Sequence, residues 1–136
     1  MLHAHFVYMK ETSKSFKEAV IAVRKATEAA KWGILGGYDF TEILASKGFP
    51  QTEEMKTLEI CAPAHANGMI EIERLTALCM PCSVLIFTDN GMTKIAAMRP
   101  GAILPSLFPS HAQKFEKPAA ALDDEVKAII DKAAGA

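Results

Sequence analysis

No run of apolar residues in this chain approaches the roughly 20 needed to cross a bilayer as a helix. The opening ten residues, MLHAHFVYMK, lack the basic start, apolar stretch and small-residue cleavage site of a signal peptide. Neither sign of charge dominates: 15 Lys and Arg stand against 16 Asp and Glu, a net charge of -1. That balance supplies no field to steer nucleic acid or anionic lipid, so neither is expected as a partner. Cysteine is scarce and odd in number, with three residues in a chain of 136, which excludes a disulfide scaffold. Repeats and low-complexity tracts are missing as well. What remains is an expectation of a cytoplasmic protein with reduced thiols. Half of the residues are apolar and 23% are charged, the balance of a folded soluble protein. The length suits one domain over residues 1–136 that buries its own core.

Local signals place the elements. The stretch HAHFVYMK mixes aromatic and β-branched residues and predicts a first strand, edge-like, with His3 and His5 exposed. Ser15 and Glu18 have the spacing of a capping box, in which each side chain satisfies a free backbone donor of the other residue. Apolar residues then recur at helical spacing to about residue 31, with Gly33 marking the end. GILGGYDF is a second strand, in which Gly36-Gly37 predicts a bulge or a close backbone approach. DFTEILASKG is a short helix stopped by Gly48, and MKTLEICA a third strand. Pro63 opens another helix, because the donor it lacks is unpaired at that position in any case.

The sharpest local signal is CSVLIFTDNGMTKIAAMR, where Asn90-Gly91 is the preferred pair for a two-residue type I′ turn. That turn sets Asp89 opposite Met92, Phe87 opposite Lys94 and Leu85 opposite Ala96. One face of the ribbon should meet helices, leaving the other for a second subunit or a ligand. From Pro100 onward four prolines predict an irregular segment across the domain. A last helix is expected over LDDEVKAIIDKAAGA, with Asp123, Asp124 and Glu125 as charges at its start.

Four stretches carry a family resemblance: SKSFKEAV at 13–20, EILASKGF at 42–49, LEICAPAHA at 58–66, and MPCSVLIFTDNGMTKIAAMRP at 80–100. In this order they resemble the domain-of-unknown-function 302 family. The resemblance implies an α+β fold, a curved and mainly antiparallel sheet with helices on one face, and a homo-oligomer, dimeric or larger. It assigns no activity. Cys61 and Cys82 stand where family members commonly carry cysteine, whereas Cys79 stands where an aliphatic residue is usual. The family's Cys-Asn-Pro reads Cys-Ala-Pro here, Cys61 to Pro63, which removes an amide from that position.

Chemistry concentrates at the sulfur atoms. Cys79 and Cys82 make a CxxC pair, and a thiolate of lowered pKa attacks disulfides readily. The pair precedes a strand, however, with no helix start beside it. Cys61, just ahead of the helix at Pro63, has the better electrostatic position. Cys61 with Cys82 as its resolving partner is therefore the preferred thiol pair, in a small-ligand or sulfur-related binding or redox module. Lys47 is a further candidate for an anion. A metal- or haem-binding module is the alternative: Cys61, His65, Cys79 and Cys82 could hold zinc as a Cys3His set. Met80, Met92 and Met98 with His65 or His111 would instead suit copper or a haem iron. CMPC followed by Ser83 is not the covalent haem signature CxxCH. A purely structural, oligomeric domain is the third reading, in which the cysteines are small core residues.

Overall fold

The protein is described by a computed structural model that covers residues 5–135. Asn90 and Gly91 take positive φ of 51° and 80°, the conformation that a type I′ turn demands. They join β4 (Cys82–Asp89) to β5 (Met92–Met98) in the expected register, Asp89 opposite Met92, Phe87 opposite Lys94 and Leu85 opposite Ala96. The other strands are β1 (Val7–Thr12), β2 (Gly33–Asp39) and β3 (Met55–Cys61). All pair antiparallel in the order β1-β5-β4-β3-β2, an open sheet with β1 and β2 at its edges.

Side chains alternate across a strand, so the register sorts the sheet into two faces. Leu58, Ile60, Val84, Ile86, Ile95 and Ala97 form the inner face and are buried. They share one core with Ala19 and Val23 of α1 (Phe16–Ala29) and with Val126 and Ile130 of α5 (Ala112–Ala134). Helix α3 (Pro63–Ile72) contributes Met69 to this core, and α4 (Pro100–Leu107) contributes Leu104. The short α2 (Phe40–Ser46) links β2 to β3 and buries none of its residues. The α+β architecture, a single antiparallel sheet with helices packed on it, is the one the sequence predicts.

Several local signals act as expected. Ser15 and Glu18 close a full capping box, at 2.9 and 3.2 Å. The register shifts between Ile34 and Gly36, so the bulge is present. Gly48 stops α2 at φ 93°. Others are corrected. Strand β1 begins at Val7, with His5 and Phe6 in a turn, while His3 lies outside the described residues. Helix α1 ends because Lys31 takes φ 64°, before Gly33 is reached.

The segment after Pro100 is mostly helical. Pro100 starts α4 and Pro105 lies inside it; α5 begins at Ala112, ten residues before the expected start, and contains Pro118. An interior proline costs a helix about 3 kcal/mol. Burial of Leu104, Phe115, Ala119 and Leu122 offsets that cost. Asp123, Asp124 and Glu125 consequently sit well inside a helix, where they cannot serve the dipole at its start.

Gly37 tests the sheet register. A Cβ there would lie 2.7 Å from the Thr57 carbonyl oxygen, whereas one on Gly36 would meet nothing within 4 Å. Gly37→Ala is expected to destabilise the fold by about 1–3 kcal/mol through overpacking, and Gly36→Ala to leave the urea midpoint nearly unchanged. Equal midpoints for the two variants would contradict the register.

Candidate functional site

A cavity of about 490 Å³ opens where the N-terminal turn, the 3-10 segment Arg74–Cys79, the start of β4 and helix α4 come together. Its size is that of a small-molecule site. Cys79 and Cys82 lie in its wall with Met80 and Pro81 between them, and Met69 and Met98 add two further sulfur atoms. Leu104 and Leu122 form part of the wall from the helical side. The CxxC pair is brought together here because Cys82 opens β4 toward the inner face, opposite Ile60, while the 3-10 segment delivers Cys79 to the same side.

Cys61 follows Ile60 on β3, and by alternation its side chain turns from the inner face. It does not line the cavity. It remains close to Cys82: burial pushes the Cys82 thiol up to about 11, and the neighbouring Cys61, Cys79 and Glu59 add to the rise. All three cysteines are free thiols. Cys82 is therefore a protonated group at neutral pH, unlike an activated nucleophile. Lys47 caps the C-terminus of α2, exposed and apart from the cavity.

His65 is committed elsewhere. Its Nε2 pairs with the Glu125 carboxylate, whose other oxygen accepts from the Trp32 indole N–H at 3.0 Å. The Trp32 hydrogen bond is the main cause holding the Glu125 carboxyl below its ordinary range, and His65 reinforces it. His111 lies 3.6 Å from Glu73, and Met92 sits at the hairpin turn. Among the described residues no three His, Cys, Asp or Glu side chains form a group that could hold a metal ion. Cys61, His65, Cys79 and Cys82 are thus not assembled as a tetrahedral cage.

Sequence reasoning took Asp123 for a helix-start charge and passed over the role of Arg99. Asp123 is only 5% exposed. Its Oδ2 lies 3.2 Å from both Arg99 Nη2 and Lys127 Nζ, and its Oδ1 accepts from the Gly101 N–H at 3.4 Å. Arg99 also donates from its backbone N–H to the Phe6 carbonyl at 2.6 Å and from Nη1 to the His5 carbonyl at 3.0 Å. The available signal was the i,i+4 spacing of Asp123 and Lys127.

Fold and cavity define a class: a small α+β domain whose open sheet carries helices on one face and an apolar, sulfur-rich pocket beside them. Residues 8–133 match the family model described as "Domain of unknown function DUF302", and the chain belongs to that family. A solved structure, "Crystal structure of uncharacterized conserved protein DUF302 from Bacillus stearothermophilus", is similar to this chain at 24% identity. The match covers 96% of this chain and 99% of that one, with a TM-score of 0.88, and it shows a common fold. No curated protein matches the chain.

The state of Cys82 is directly measurable. At neutral pH its alkylation by iodoacetamide should run roughly hundredfold slower than that of an ordinary thiol, rising about tenfold per pH unit up to about pH 11. Peptide mapping by mass spectrometry would follow each cysteine. Alkylation of Cys82 at neutral pH as fast as a free small thiol would contradict the protonated state.

Proposed function

We propose that this protein is a small-ligand binding module whose site is the cavity walled by Cys79 and Cys82. The observation that carries the reading is the cavity itself, a concave and mainly apolar site with a few polar groups at its margin. Cys61, beside Cys82 but outside the wall, can modulate the thiol without touching the ligand. Protonated Cys82 favours binding over thiol-disulfide chemistry. Three free thiols suit a reducing compartment, the cytoplasm. No helix among the described residues is long and apolar enough to cross a membrane.

Organic extraction of gently purified protein, followed by mass spectrometry, tests this reading. Wild-type protein should release a small molecule that the cavity-filling variant Ala102→Phe does not. Identical extracts, or none from either, would contradict it.

A second reading, compatible with the first, is self-association through the outer sheet face. Tyr38 and Met55 are exposed there, and Leu85 and Phe87 are half-buried. Such an apolar sheet face fits the interior of a homo-oligomer. Sedimentation should show an assembly in the wild type and a monomer in Leu85→Lys; a monomeric wild type would remove this reading.

A further inference from the structure

We propose that the cavity takes an uncharged aliphatic chain, its deep wall being hydrocarbon and sulfur. This rests on the cavity being a ligand site, and it specifies the ligand's chemistry.

The described lining includes no Lys, Arg, Asp or Glu, and its one imidazole, His5, is exposed at the margin. Its hydroxyls have already committed their protons: Thr76 Oγ1 to the Glu73 carbonyl at 2.8 Å, Ser83 Oγ to Glu59 at 2.7 Å, and Ser106 Oγ to the Ala102 carbonyl at 2.9 Å. An anion placed deep inside would therefore lose its hydration and find only weak thiol donors, since the exposed His5 imidazole stands at the margin, a penalty that disfavours it. The nearby Arg99 is not part of the lining, and its terminal nitrogens bind Asp123 and the His5 carbonyl.

The lining also separates aliphatic from aromatic ligands. Met69, Met80 and Met98 are flexible and polarizable, shaped by rotamer choice around an unbranched chain. Phe6 is the one carbocyclic ring of the described lining, so no aromatic cage is built. Around the cavity Leu78, Leu107 and Met98 are 83%, 57% and 56% exposed. Exposed apolar side chains bordering an apolar cavity provide a continuous path for a chain to enter.

Calorimetric titration with 1-hexanol, 1-octanol and 1-decanol tests the inference. Affinity should rise by up to about fourfold for each added methylene, the increment for burying CH2. Decanedioate, which carries charge at both ends, should bind roughly hundredfold or more weakly than 1-decanol. Ala102→Phe should abolish alkanol binding; should that variant fail to fold, Ser106→Trp, at an exposed lining position, fills the entrance instead. Decanedioate binding as tightly as 1-decanol, or no gain with chain length, overturns the aliphatic assignment. If the neutral aromatic probe 1-aminoanthracene then binds wild type but not Ala102→Phe, the cavity remains a ligand site and only the ligand class fails. Absence of all binding, or alkanol binding unchanged in both filled variants, overturns the class and the cavity reading together.

Discussion

One buried carboxylate holds the walls of the cavity in place. Asp123 projects from the middle of α5 and receives Arg99, Lys127 and the backbone N–H of Gly101. Through Arg99, which also grips the carbonyls of His5 and Phe6, it ties the N-terminal turn, the end of β5 and the start of α4 to one helix. Removing one partner of such a pair leaves the other uncompensated at a cost of several kcal/mol. The site is also sterically tuned: a Cβ on Gly101 would lie 3.1 Å from the Asp123 side chain. The carboxylate and guanidinium pair with each other outside the cavity lining, which carries neither of them.

This separation has chemical consequences. The polar network is spent on architecture, and the groups left facing the cavity are thiols, thioethers and hydrocarbon. Burial keeps Cys82 protonated, so the sulfur atoms act first as a soft, adaptable surface. The other apparent reactive group, His65, is held by Glu125, itself anchored by Trp32. That triplet joins the start of α3 and the residue ahead of β2 to α5, an arrangement that serves packing.

Features set by adjacent residues were legible in the sequence. The Asn90-Gly91 turn, the Ser15 capping box and the hairpin register depend on local backbone chemistry and occur where expected, while the β2 bulge falls just ahead of Gly36-Gly37. The helices beyond Pro100 were obscured because their prolines oppose the pattern locally, while the burial that overrides them is tertiary. The cavity was hidden for a related reason: Phe6, Met69, Cys79, Met98, Leu104 and Leu122 converge from six separate parts of the chain. CxxC spacing did bring Cys79 and Cys82 to one wall. Alternation along β3, with Leu58 and Ile60 inward, turns Cys61 from that wall, a local rule that the pairing of Cys61 with Cys82 left unused. Asp123 carried the composition of a helix start, and only its partner Arg99, 24 positions earlier, reveals why it is buried.

Methyl NMR of protein labelled at methionine tests the central claim most directly, because the methionines divide between the cavity and the rest of the fold. Met69, Met80 and Met98 line the cavity, whereas Met9, Met55 and Met92 do not. On addition of 1-decanol the first three methyls should shift and show contacts to the chain protons of the ligand, with the latter three unmoved. Shifts confined to Met9 and Met55, or spread evenly over all six, would contradict a ligand held in this cavity.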